Sequence, residues 1–140
     1  MKRYQVMVII LGLSVVLSVD RAAAWISFTK HTVDDTYSNC CALWVEDMDS
    51  DGDPDILAGY RFTGIAWWRN DGGYPPEWTH LPIDYSLGSA FSVITADLNL
   101  DQQPDVVATS RQHGTVAWWE FDVEEGWIRH TVDDTAVSAH

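Results

Sequence analysis

Residues 47–55 read DMDSDGDPD and residues 97–105 read DLNLDQQPD, with Asp, Asp, Pro and Asp in register at an offset of fifty residues. A period of about 20–50 residues marks a repeat architecture, in which each unit buries its apolar faces against its neighbours rather than alone. The correspondence runs on: Arg61 falls on Arg111 and Gly64 on Gly114, and one residue later in register Ala66-Trp67-Trp68 falls on Ala117-Trp118-Trp119. A segment running from Trp to His occurs three times, as WISFTKHTVDD from Trp25, WTHLPID from Trp78 and WIRHTVDD from Trp127.

Each unit reads as four short strands. Residues 41–46 and 91–96 are apolar, β-branched or aromatic and lead into the Asp-rich loops, and residues 55–60 and 105–110 form second strands ended by turns at Gly64 and Gly114. Third strands hold the Trp pairs, and fourth strands start at Trp78 and Trp127. Four strands in a unit of this length predict a propeller-type blade. Adjacent Trp residues in a strand point to opposite faces, as a blade packed on both sides requires. The expected fold is therefore all-β: four-stranded antiparallel blades, about two complete with an extra outer strand at each repeat end, forming an incomplete propeller. The expected boundaries are a signal peptide over 1–24, an outer strand of a preceding blade over 25–35, blade 1 over 36–84, blade 2 over 85–134, and the start of a further, truncated repeat over 135–140.

The signal-peptide reading rests on Lys2 and Arg3, the apolar run Val6 to Val19, and the small residues Ala22-Ala23-Ala24, after which cleavage is expected. The run is shorter than the roughly 20 apolar residues of a spanning helix. Losing this segment removes three basic residues and one acidic one and takes the formal charge from −13 to −15. That balance argues against nucleic acid and anionic membranes as partners and makes cations the natural counter-species. The eight Trp residues exclude a disordered acidic chain. Cys40 and Cys41 are too close to bridge each other in ordinary trans geometry, and two buried thiols are expected.

The Asp-rich loops carry the chemistry. Ca2+ takes six to eight oxygen ligands, and carboxylates at alternate positions of a tight loop converge on one centre. Asp47, Asp49, Asp51 and Asp55 supply alternate positions, the carbonyl of Asp53 supplies another, and Gly52 permits the sharp turn. Ala58 stands where an EF-hand needs a bidentate acid, and the segment after the loop reads as a strand, so an EF-hand is excluded. The second loop offers Asp97, Asn99, Asp101, Asp105 and the carbonyl of Gln103, with Gln102 in place of the glycine. With one carboxylate lost and a less permissive turn, it is expected to bind more weakly than the first.

DMDSDGDPDILAG and DLNLDQQPDVVAT, each followed by a Gly turn and an AWW segment, resemble the FG-GAP or VCBS-type repeats related to the calcium-loop blades of the integrin α-subunit propeller. The resemblance implies an extracellular propeller with calcium held between the first two strands of a blade, commonly serving adhesion or carbohydrate and protein binding. Carried over by position, its ligands would be Asp47, Asp49, Asp51, Asp53 and Asp55, then Asp97, Asn99, Asp101, Gln103 and Asp105.

Two blades do not close a ring, so the chain is expected to be a fragment of a longer protein or a subunit that gains further blades by oligomerisation, the former being preferred. The expected function is an exported calcium-stabilised module for extracellular binding or adhesion, with a protein or carbohydrate ligand. Its expected location is outside the cytoplasm: secreted, periplasmic or at the cell surface. A lectin-like propeller is the alternative, with Tyr74 and Tyr85 as candidate contacts. A role as scaffold of a polysaccharide-degrading enzyme is the other. No Ser-His-Asp, Cys-His or zinc constellation stands apart from the repeat, and catalysis by this chain is not expected. His31, His80 and His130 share one repeat position and are expected to serve strand pairing.

Overall fold

A strand satisfies its backbone only beside another strand, and the repeat supplies four in a row per unit. The computed structural model describes residues 5–10, 13–18 and 27–136. The predicted cleavage pattern at Ala22-Ala23-Ala24 and residues 137–140 of the predicted further repeat lie outside the described residues. Contacts divide the chain into Met1–His31 and Thr32–His140. In the first, β1 (Gln5–Ile10) and β2 (Leu13–Ser18) pair antiparallel. Among the described residues no helix is long and apolar enough to cross a membrane.

The second unit holds two four-stranded antiparallel sheets of propeller-blade type. Blade 1 is β3 (Cys40–Glu46), β4 (Asp55–Tyr60), β5 (Gly64–Asn70) and β6 (Trp78–Asp84), adjacent in chain order. Blade 2 repeats the arrangement with β7 (Ala90–Ala96), β8 (Asp105–Ser110), β9 (Thr115–Asp122) and β10 (Gly126–Asp133). Of residues 25–35, read from sequence as an outer strand, the described residues 27–35 carry no strand pairing. The tight β4–β5 turn is fixed by Gly64, whose φ is 83° and where a Cβ would run into the Asp84 carbonyl.

The Trp pairs separate as their alternation requires. Trp67 enters the core between the blades with Leu57, Ile65, Leu87, Val93, Val106 and Trp119, and its ring meets that of Trp127 edge-on at 6.4 Å. Trp68 faces the other side of blade 1 with Tyr60, Val33 and Tyr37. Within each pair the second Trp thus faces the chain that precedes its blade. That orientation is locked by a recurring turn. Asp34 accepts the backbone N–H and hydroxyl of Thr36 through Oδ1 and the Trp68 indole N–H through Oδ2 at 3.3 Å. Asp84 does the same with Ser86 and, at 3.2 Å, with Trp119. Asp133 forms the same turn with Thr135.

Cys40 and Cys41 correct the sequence reading: both are exposed free thiols. The reason is their place on β3, which forms one edge of its sheet and leaves most of its side chains open to solvent. Two of the three histidines sit in the strand pairing: His80 lies opposite Trp68 and His130 opposite Trp118, where the rings stack at 4.2 Å, whereas His31 lies in the unpaired residues 27–35.

Candidate metal centre

The β3–β4 connection is short and carries acids at every second position, so its backbone must fold inward on one of them. That residue is Asp47, whose Oδ1 accepts the N–H of Asp51 at 3.1 Å and whose Oδ2 accepts the N–H of Gly52 at 3.0 Å. Two residues adopt left-handed backbone to make the turn, Ser50 at φ 62° and Gly52 at φ 94°. The fold brings one carboxylate oxygen each of Asp47, Asp49 and Asp51 within 4.8 Å of one another. Three hard oxygen donors at this spacing could hold part of the shell of a hard divalent cation.

Asp53 and Asp55 stand apart from this group. The Asp53 N–H donates to Asp51 Oδ1 at 2.8 Å. Asp55 is buried, its Oδ2 accepting the N–H of Met48 and its Oδ1 that of Asn70, at 3.0 and 2.7 Å. It therefore ties the loop to β5, with both carboxylate oxygens engaged by backbone. Burial, then the neighbouring charges of Asp51 and Asp55, raises the Asp49 carboxyl above its ordinary range. A bound cation would relieve that repulsion.

The second loop has the same frame. Asp97 accepts the N–H groups of Asp101 and Gln102, both at 3.1 Å, and Asp105 is buried beneath, accepting those of Leu98 and Asn99. Desolvation raises the Asp105 carboxyl. Asn99 makes the difference. Its Nδ2 donates to Asp101 Oδ2 and to Glu120 Oε2, each at 2.9 Å, so the loop supplies its own donor where the first loop presents a third carboxylate. The Gln103 N–H donates to Asp101 Oδ1.

Sequence reasoning missed two residues here. Arg69 and Glu120 each follow a Trp pair, and the sheet carries both to the loops. The Arg69 guanidinium lies 3.9 Å from Asp49 and 2.8 Å from Asp71. Glu120 joins Asn99 to His130, whose Nε2 is 2.8 Å from Glu120 Oε1. The hydrogen bonds of Asn99 and His130 lower the Glu120 carboxyl. The first loop thus sets a cation beside three acids, and the second sets an acid beside an amide. Their identical position after the AWW segment was the available signal.

Gln102 adopts φ 72° at the place of Gly52. A side chain in this region costs roughly 1–2 kcal/mol, part of which glycine returns as unfolded-state entropy. Gln102→Gly is accordingly expected to stabilise the metal-free protein by about 0.5–1 kcal/mol in urea denaturation. An unchanged or lower midpoint would mean that the turn is not strained.

Two repeated blades, each with an acidic loop between its first two strands, define a propeller-type repeat protein. The family model of the FG-GAP-like repeat matches residues 47–108, from the first loop into β8, and this stretch is an FG-GAP-like repeat. No curated protein and no solved structure matches the chain.

Proposed function

We propose that the chain is an exported calcium-binding repeat module that serves extracellular binding or adhesion, with calcium stabilising the blades. The convergence of Asp47, Asp49 and Asp51 on a glycine-permitted turn carries this reading. The remaining coordination would come from the Asp53 carbonyl and from water, with Asp55 bracing the loop from beneath. The metal's role is structural: it neutralises crowded carboxylates and braces the β3–β4 connection.

The first loop is the firm site and the second the weak one, because Asn99 already satisfies Asp101 there. Calorimetric titration of the metal-free protein with Ca2+ is expected to resolve one tight event and at most one weaker one. Two sites of equal affinity would contradict the ordering. A lectin-like role is the second reading, favoured by exposed aromatic side chains: Tyr74 is 98% and Phe62 67% accessible.

A further inference from the structure

Of the eight Lys and Arg residues, five lie among the described ones: Lys30, Arg61, Arg69, Arg111 and Arg129. Arg69 pairs with Asp49 and Asp71, and Arg129 with Asp84. Arg61 and Arg111 pair with no carboxylate among the described residues. They are equivalent in the repeat, each following the second strand of its blade. The Arg61 N–H donates to the Asn39 carbonyl and the Arg111 N–H to the Ser89 carbonyl, both at 3.0 Å.

This repeat position brings both guanidinium groups to one cleft of about 470 Å³, lined also by Cys41, Phe62, Ser89, Phe91 and Gln112. No acidic residue lines it, in a chain of formal charge −13. The acidic loops sit at the opposite ends of the same strands, roughly 17 Å away for six residues of strand. A second cleft at that end is lined by Glu46, Asp47 and Asp97 and carries the opposite charge. The molecule is therefore polarised along its strands.

The cationic cleft also offers apolar ring faces. Phe62 is 67% and Phe91 46% accessible, and the Arg61 and Arg111 guanidinium carbons stand 5.4 and 5.8 Å from the centroids of these respective rings. Large exposed aromatics beside unpaired arginines are the two halves of a site for a ligand with an apolar face and a carboxylate. A guanidinium fork binds a carboxylate bidentately, and a pyranose presents an axial C–H face to a ring. Ser89 and Gln112 add polar groups suited to sugar hydroxyls.

We infer that the cleft between Arg61 and Arg111 is a binding site for a carboxylate-bearing sugar, a uronic acid either free or as a residue of an acidic polysaccharide. The inference rests on the module being an extracellular binding device, but it does not depend on calcium occupying the loops.

The test is a calorimetric titration of the full chain with galacturonate, with its linear trimer, with the neutral galactose trimer, with inorganic sulfate and with a tetra-glutamate peptide. Each titration is run with calcium and again with chelator. Saturable binding of a galacturonate ligand is expected, about tenfold or more tighter than the neutral trimer, sulfate or peptide, which corresponds to one charge-assisted hydrogen-bonding pair. A tighter trimer identifies a polysaccharide ligand, and equal monomer and trimer affinities a single-ring site. Arg61→Gln and Arg111→Gln should each weaken binding about tenfold, and Arg61→Lys should also weaken it because the fork is lost. Both arginines are exposed, so the variants should keep the wild-type circular dichroism. Equal binding of the neutral trimer, tighter binding of sulfate or the peptide, wild-type affinity in both glutamine variants, or no binding by galacturonate or its trimer would overturn the inference. Binding that persists in chelator leaves the uronate site standing even if the calcium reading fails.

Discussion

Trp119→Ala is expected to destabilise the protein by about 3–5 kcal/mol, the usual cost of removing a large buried aromatic. That is a large share of the roughly 5–15 kcal/mol that holds a typical domain folded. Trp119 is buried in the core shared by both blades, and its indole N–H is held by Asp84. The loss should therefore loosen the packing of blade on blade as well as empty one site. Trp118, its neighbour in the chain, points to the other face, is only partly buried, and stacks on His130. Trp118→Ala should cost less than half as much. Urea denaturation followed by circular dichroism gives both values. Equal losses, or a larger one at Trp118, would refute the assignment of the two rings to opposite faces. Trp119→Phe separates the lock from the packing, keeping most of the apolar contact and giving up the bond to Asp84 for about 1 kcal/mol.

Asp51→Asn should act in opposite directions with and without calcium. The amide keeps an oxygen for the Asp53 N–H but removes one of the charges that raise Asp49. Metal-free stability should stay level or rise slightly, whereas the stabilisation by calcium should largely vanish. For the wild type that stabilisation is about 2.7 kcal/mol at a concentration one hundred times the Kd. Asp101→Asn should leave most of it in place, because the second loop already holds an internal donor in Asn99. Paired thermal melts of the two variants decide this. A full calcium response in Asp51→Asn would place any bound metal elsewhere.

The features that were legible in the sequence are those set by local periodicity. Alternation along β5 and β9 divides each Trp pair between faces, and the DxDxDG spacing folds the first loop around Asp47. The residues that were not legible act across the sheets. Arg69 and Glu120 reach the loops only because β5 and β9 run back alongside β4 and β8. The Asp34–Trp68 and Asp84–Trp119 locks join residues 34 and 35 positions apart. Nothing in the local sequence announces them. Cys40 and Cys41 were expected to be buried, whereas sheet order puts their strand at an edge and leaves both exposed. The degenerate loop looked weaker for its missing carboxylate and glycine. Its fold adds a cause invisible in composition, the Asn99 amide set between Asp101 and Glu120.

The most direct measurement is the melting temperature of the chain in chelator and again at millimolar calcium. The loop of Asp47, Asp49 and Asp51 predicts a rise on the order of 10 °C, the equivalent of about 2.7 kcal/mol in a domain of this size. An unchanged melting temperature, with no calcium bound at equilibrium dialysis, would contradict it.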